Sequence, residues 1–305
     1  MELEDFYNYL IAKGYSSKTT SGIVRNITKF IEWIKTANIE LETINYNDVT
    51  AYIGSFEKSA TSRNTQSKYL ASIKHYLNYL VVSEQIPHNP VIALKLKNTR
   101  HKSLHVVLTP EELQNLYKQY HTEIKKHLIA PPQYVNELAR KRNKVILGLL
   151  IYQGLSTQDI SSLELKHLQL REGKLLIPSA RKKDERTLNL ESHQIFDLSD
   201  YIHDTRKALL KQTNATSEHL FISVNGSTNL ANTFSKLLAA LKKQQPKLNN
   251  LSQIRASVIS HWLKLYNKRK VQQMAGHRYV SSTEQYEQLN TEDLKLEVEK
   301  YFPEY

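Results

Sequence analysis

Two stretches in the first hundred residues carry apolar side chains at helical spacing. Ile23, Ile27, Phe30, Ile31 and Ile34 form one stripe, and Tyr69, Ile73, Tyr76, Leu77 and Leu80 form another, both following i, i+4, i+7, i+8, i+11. A 3.6-residue period puts such positions on one face, so each segment has to bury that face against another helix. A shorter helix from about Leu3 to Lys13, stopped by Gly14, and another from about Asn47 to Phe56 complete a compact four-helix bundle. Strand signals are absent from this region.

Pro87 and Pro90 close the fourth helix, and the polar, basic stretch Lys95 to Lys102 reads as a linker. The expected division is a helical domain over residues 1–98, a linker over 99–107 and a second domain over 108–305. Thr109, Pro110 and Glu112 form a cap, a first helical position and a capping box, so a helix is expected from about Glu111 to Leu128. Pro131-Pro132 reads as a break before a long helix from about Val135 to Tyr152, closed by Gly154. Lys174 to Pro178 and Thr187 to Leu190 read as hairpin strands around the basic turn Arg181-Lys182-Lys183-Asp184, and Leu220 to Ser223 as a further strand. Helices resume near Asn229, Ser252, Lys270 and Thr291. The fold class is therefore mainly α with a small antiparallel β-sheet.

Charge narrows the partner. Lys and Arg number 42 against 30 Asp and Glu, a formal charge of +12, which favours a polyanion through counterion release and electrostatic steering. Nucleic acid comes first. A membrane is disfavoured, because the longest plainly apolar run, Val145 to Tyr152, falls far short of the ~20 residues that span a bilayer. The start, Met1-Glu2-Leu3-Glu4-Asp5, has no secretory character, so a cytoplasmic, nucleoid-associated protein is expected. With no cysteine and no His-Glu-x-x-His spacing among twelve histidines, neither metal nor cofactor is expected.

The chemistry concentrates near the C-terminus. Arg255 stands in Leu251-Ser252-Gln253-Ile254-Arg255, and His277 follows 22 positions later in Gly276-His277-Arg278-Tyr279. Tyr286 comes nine positions after that. A guanidinium binds phosphate as a charged fork, an imidazole passes protons and a phenol can attack phosphorus. Each residue alone has a blander reading, as a surface arginine, a structural histidine or a half-buried tyrosine. Their order and spacing reverse that preference and fit covalent cutting of DNA.

With these motifs the chain resembles the tyrosine recombinase/integrase family, with a Xer-like two-domain organisation covering nearly its whole length. The resemblance implies a core-binding bundle, similar to the family's SAM-like domain, followed by an α+β catalytic domain, the two closing as a clamp on duplex DNA. It implies that Tyr286 forms a 3'-phosphotyrosyl link and frees a 5'-hydroxyl, that Arg255 clamps the phosphate, and that His277 is a proton donor or phosphate ligand. The family's acidic lysine sits on a basic hairpin. An ungapped fit puts Arg181 there and a one-residue shift puts Lys182, which is favoured, with Lys183 close behind.

Two positions depart from the family pattern. Ser156 follows Gly154-Leu155 where the first catalytic arginine is usual, and Ser252 occupies the usual histidine or lysine position. A hydroxyl supplies neither charge nor a fork, and Arg181, Lys183 and Arg278 are the candidate substitutes. Asp159 matches an acidic residue that steadies its neighbours, or else it caps a helix. Arg63, Asn64 and Lys68, opposite the apolar stripe of the fourth helix, and Arg100 in the linker are candidate DNA contacts. Thr291 to Phe302 carries Leu294, Val298 and Phe302 on one stripe. By resemblance it would dock on a neighbouring subunit, assembling dimers to tetramers on double-stranded DNA with inverted-repeat sites. Three readings stay open: a site-specific recombinase or integrase, a catalytically impaired sequence-specific DNA-binding accessory protein, and a relaxing type IB topoisomerase.

Overall fold

The computed structural model describes residues 2–56, 61–96, 106–120, 131–180 and 183–287. The chain divides into two compact units, Met1–Ser103 and Leu104–Tyr305. Among the described residues no helix is long and apolar enough to cross a membrane.

The first unit holds four helices, α1 (Glu2–Ala12), α2 (Ser17–Thr36), α3 (Tyr46–Ser55) and α4 (Arg63–Val82). Their starts are set by side-chain caps: Ser16 accepts from the Thr19 amide, Ser62 from the Thr65 amide, and Asn45 with Asp48 forms a capping box. The two stripes read from the sequence supply the core. Ile23, Ile27, Phe30 and Ile34 of α2 and Leu70, Ile73, Tyr76, Leu77 and Leu80 of α4 are buried with Phe6, Leu10 and Tyr52. Asn26 of α2 donates to Ser72 of α4 at 3.0 Å, pinning the register of the pair. Arg63, Asn64 and Lys68 lie along the outer face of α4. Arg25, Asn26 and Lys29 of α2 join Thr65, Lys68, Tyr69 and Ser72 of α4 in a groove between the two helices.

The second unit opens with α5 (Pro110–Lys118), which starts where the sequence predicts, with Thr109 and Glu112 in a capping box. It ends ten residues before the expected Leu128, because Gln119 caps it and Tyr120 turns into the core. The Pro131-Pro132 pair opens α6 (Pro131–Tyr152) instead of interrupting it, since proline is tolerated in a first turn. Ile146, Leu147, Leu149 and Leu150 of that helix form the centre of the core.

After the short α7 (Thr157–Ser162), an antiparallel sheet runs β1 (Leu168–Gln169), β2 (Lys174–Ile177) and β3 (Arg186–Asn189) in sequential order. Leu175 pairs with Leu188, and Ile177 with Arg186. A helix that the sequence reading omits follows, α8 (Ser192–Asp200), continuing through a π-helical stretch (Tyr201–Arg206) into α9 (Lys207–Thr213). The expected strand at Leu220 to Ser223 is not formed. Two of its carbonyls are taken by side chains: Arg206 and Tyr201 donate to Leu220, and Arg142 to Ile222. α10 (Ala231–Gln244), α11 (Leu251–Leu265) and α12 (Lys268–Ala275) complete the labelled elements, and residues 281–287 are again helical. The expected helix at Thr291 to Phe302 lies outside the described residues.

Candidate active site

Four segments of the second unit meet at one carboxylate: α7, the hairpin turn, β3 and α11. Ser156 caps α7, accepting from the Asp159 amide, while Asp159 accepts from the Ser156 amide at 2.9 Å. Both readings of Asp159 therefore hold, because the same carboxylate also takes Lys183 at 2.7 and 2.8 Å and Arg186 at 3.5 Å, with Arg255 Nη1 at 3.9 Å. Three cations against one carboxylate leave an excess of positive charge in a buried cluster. Arg186 adds to it through Nη1, which is buried and without a hydrogen-bond partner among the described residues.

Arg255 is buried, not a surface arginine, and lies just past the first turn of α11, whose cap is Asn250. Its guanidinium reaches the carbonyls of Gly154 and Ala275. Gly154, at φ +56°, is needed there, since a Cβ would meet Trp262 at 2.9 Å and Val258 at 3.2 Å. Of the apolar residues along α11, Ile254, Val258 and Ile259 are buried, whereas Leu265 is 71% exposed at the helix end.

α12 ends at Gly276 in the left-handed region, φ +68°, and the turn aims His277 back at Arg255. Arg255 Nη2 lies 3.1 Å from His277 Nε2. A guanidinium has no acceptor, so Nε2 must accept, and the neutral ring carries its proton on Nδ1, which donates to Thr283 Oγ1 at 2.9 Å. Burial, then the positive charges of Arg255, Lys183 and Arg186, lower the His277 pKa to about 4, with Asp159 opposing. The unfolded chain therefore takes up a proton that the native ring resists. Stability is expected to fall as pH drops from about 6.5 towards about 4, by about 3 kcal/mol in all. Urea titrations at roughly pH 7 and pH 5 should show about 2 kcal/mol more loss in the wild type than in His277→Gln.

Tyr286 sits on the helical stretch 281–287, with its ring stacked on His277 at 5.7 Å between centroids and 6° between planes. The ring is half-buried against Ile259, Val271 and Ala275. The phenol of this chain is thus held beside its own imidazole.

The remaining sequence candidates divide. Lys183 enters the cluster and donates to Ser156 Oγ at 2.7 Å, filling the space beside the serine. Burial first, then Arg255, push its pKa below the ordinary lysine range, against the pull of Asp159. Arg278 stays exposed and ties the hairpin turn to the helix end through Asp184 at 3.1 Å. Ser252 is exposed in the first turn of α11, outside the buried group. Arg100, Arg181 and Lys182 lie outside the described residues. Sequence reasoning missed Arg186 and Thr283. A strand-initial arginine in a basic segment and a threonine in a polar run give no signal of burial.

Residues 106–293 match the model of the phage integrase family, and residues 3–84 match the phage integrase N-terminal SAM-like domain. The tyrosine recombinase XerD of Oceanobacillus iheyensis is 25% identical over 307 residues, covering 99% of this chain and 98% of that protein. The tyrosine recombinase XerC of Lacticaseibacillus casei is 23% identical over 306 residues, covering 98% of each. Among solved structures, the XerH site-specific recombinase bound to a palindromic difH substrate is similar with a TM-score of 0.70 at 16% identity. That match spans 95% of this chain and 82% of that one. A lambda integrase dimer bound to a core site gives 0.63 at 13% identity, over 93% of both chains.

Proposed function

Because the chain belongs to the phage integrase family, we propose that it is a site-specific DNA recombinase that cuts and rejoins strands through a phosphotyrosyl intermediate at Tyr286. The observation that carries this reading is the phenol stacked on His277 beside a buried cation excess. Lys183, Arg186 and Arg255 outnumber Asp159, so the cluster gains most from an anion, and a phosphodiester brings one.

In the proposed step Arg255 turns its Nη2 from His277 Nε2 to the phosphate, and Tyr286 Oη bonds to phosphorus as its proton passes to the lone pair so freed on Nε2. The P–O5' bond breaks with its electron pair on oxygen, and a hairpin cation, Lys182 in the favoured register, protonates that oxygen. Protonated His277 then becomes the donor when the step runs backwards in a partner duplex. Lys183 supplies the charge that Ser156 lacks, a role supported by the 2.7 Å bond between them.

Affinity for double-stranded DNA would come from Arg63, Asn64 and Lys68 on the outer face of α4, with Arg25 and Lys29 across the groove, and from Arg100. Assembly as a dimer to tetramer on inverted-repeat sites, through the segment 291–302, and a place at the nucleoid in the cytoplasm belong to the same proposal.

The test starts from duplexes selected by the protein out of a random-sequence pool and rebuilt with a nick near the centre, so that the cut fragment diffuses away. A denaturant-resistant protein–DNA adduct is expected, with the DNA on the peptide containing Tyr286. Tight, sequence-selective binding with no adduct would replace this reading by that of a non-cutting DNA-binding protein. Lys183→Ala should slow adduct formation about 10²-fold, and adding Ser156→Arg should recover most of the loss. A folded double variant that recovers nothing would remove Lys183 from that role.

A further inference from the structure

The proton inventory around His277 has a component outside the reacting groups. Thr283 is fully buried, at 0% exposure, although it lies in the polar run Ser281-Ser282-Thr283-Glu284-Gln285. Its amide donates to the Val280 carbonyl at 2.7 Å, closing the first turn of the 281–287 helix. Its hydroxyl oxygen is 2.9 Å from His277 Nδ1. Thr283 and Tyr286 are three apart on that helix, so hydroxyl and phenol share the face turned to the imidazole.

We propose that Thr283 is a positioning residue, whose hydroxyl holds His277 in its Nδ1–H form and so keeps Nε2 an acceptor between Arg255 and the ring of Tyr286. The geometry is over-determined in one direction. Arg255 can only donate to Nε2, and a hydroxyl oxygen is an acceptor of the proton on Nδ1. With no acceptor at Nδ1, a buried N–H would be left unpaired, and the ring would change tautomer or rotate away from Arg255. The same residue sets the reach of the nucleophile, because anchoring Thr283 to the ring anchors the helix that carries Tyr286. Among the described residues, Arg255 of α11, Lys183 of the hairpin, Arg186 of β3 and Asp159 of α7 are the charges that act on the ring. The role of the acceptor nitrogen rests on the recombinase reading, whereas the tautomer itself does not.

Two measurements separate them. The first uses the free protein with ¹⁵N-histidine, without DNA, and reads the tautomer of His277 from its ring nitrogens after assignment with His277→Gln. The wild type and Thr283→Ser should show Nδ1–H, and Thr283→Val should show the other tautomer or a mixture. Thr283→Ala serves if valine does not fold. The second measures adduct formation on the nicked duplex. Thr283→Val should lose roughly 10- to 100-fold in rate at unchanged DNA affinity, with serine restoring it. A folded valine or alanine variant with the wild-type tautomer and rate would overturn the proposal, as would a serine variant that folds but is as slow as valine. If the wild type forms no adduct, the recombinase reading fails, and the tautomer measurement still decides what Thr283 does.

Discussion

Tyr286→Phe is expected to abolish covalent capture of a nicked duplex, a drop of more than about 10³-fold, while DNA affinity stays within about twofold. The substitution removes one oxygen and keeps the ring. The packing of that ring on Ile259, Val271 and Ala275, and its stack on His277, are therefore retained, and thermal stability should hardly move. The charge cluster is untouched, so the phosphate can still be held. Loss of capture with retained binding then assigns the missing oxygen to bond formation. Capture by the phenylalanine variant would sink the assignment, and transfer of the attachment to a nearby tyrosine such as Tyr279, which is 61% exposed, would redirect it.

Much of the fold is legible wherever burial follows a period. α2 and α4 bury the stripes that the sequence presents, and the cap at Thr109 marks the start of α5, because capping chemistry is local. Legibility fails where polar groups are buried. α8 and its π-helical continuation place Gln194, Thr205 and Arg206 inside, which interrupts the apolar stripe that would have announced them. Leu220-Phe221-Ile222 fails in the opposite sense. Three buried apolar residues resemble a strand, but Arg206 and Tyr201 occupy the Leu220 carbonyl from 14 and 19 positions upstream, and no local pattern reports that.

The candidate site divides along the same line. Arg255, His277 and Tyr286 are visible because their types and spacing are chemical. Their convergence depends on two glycines at positive φ, Gly154 and Gly276, and on Asp159, whose double role no spacing rule reveals. Arg186 is the clearest omission. It packs so tightly on Gly276 that a Cβ there would lie 2.3 Å from Nη1, and its Nε donates to the Met274 carbonyl. Nothing in a basic hairpin sequence tells such an arginine from a solvated one.

The second large effect follows from the charge imbalance. Asp159→Ala is expected to cost about 3 to 5 kcal/mol, because it strands Lys183, Arg186 and Arg255 in a buried site without their shared counter-ion. On a domain of this size that corresponds to a fall in Tm on the order of 10 °C. Burial alone would raise the Asp159 pKa; Lys183, the Ser156 amide and Arg186 overcome it and hold the pKa at about 2, below its ordinary 3.8. A depressed carboxylate contributes stability that is fully present above the unfolded pKa and is lost as pH falls through the folded one. The wild-type advantage over alanine should therefore hold near neutrality and shrink between about pH 4 and pH 2. Lys183→Ala in the Asp159→Ala background should recover part of the loss by removing one stranded cation, a strongly non-additive cycle. Inorganic phosphate should raise the Tm of Asp159→Ala more than that of the wild type, since the alanine variant leaves all three cations without a carboxylate. Additive losses in the cycle, together with equal phosphate shifts in both proteins, would mean that Asp159 acts only as the cap of α7, and that the cluster around it is not built to receive an anion.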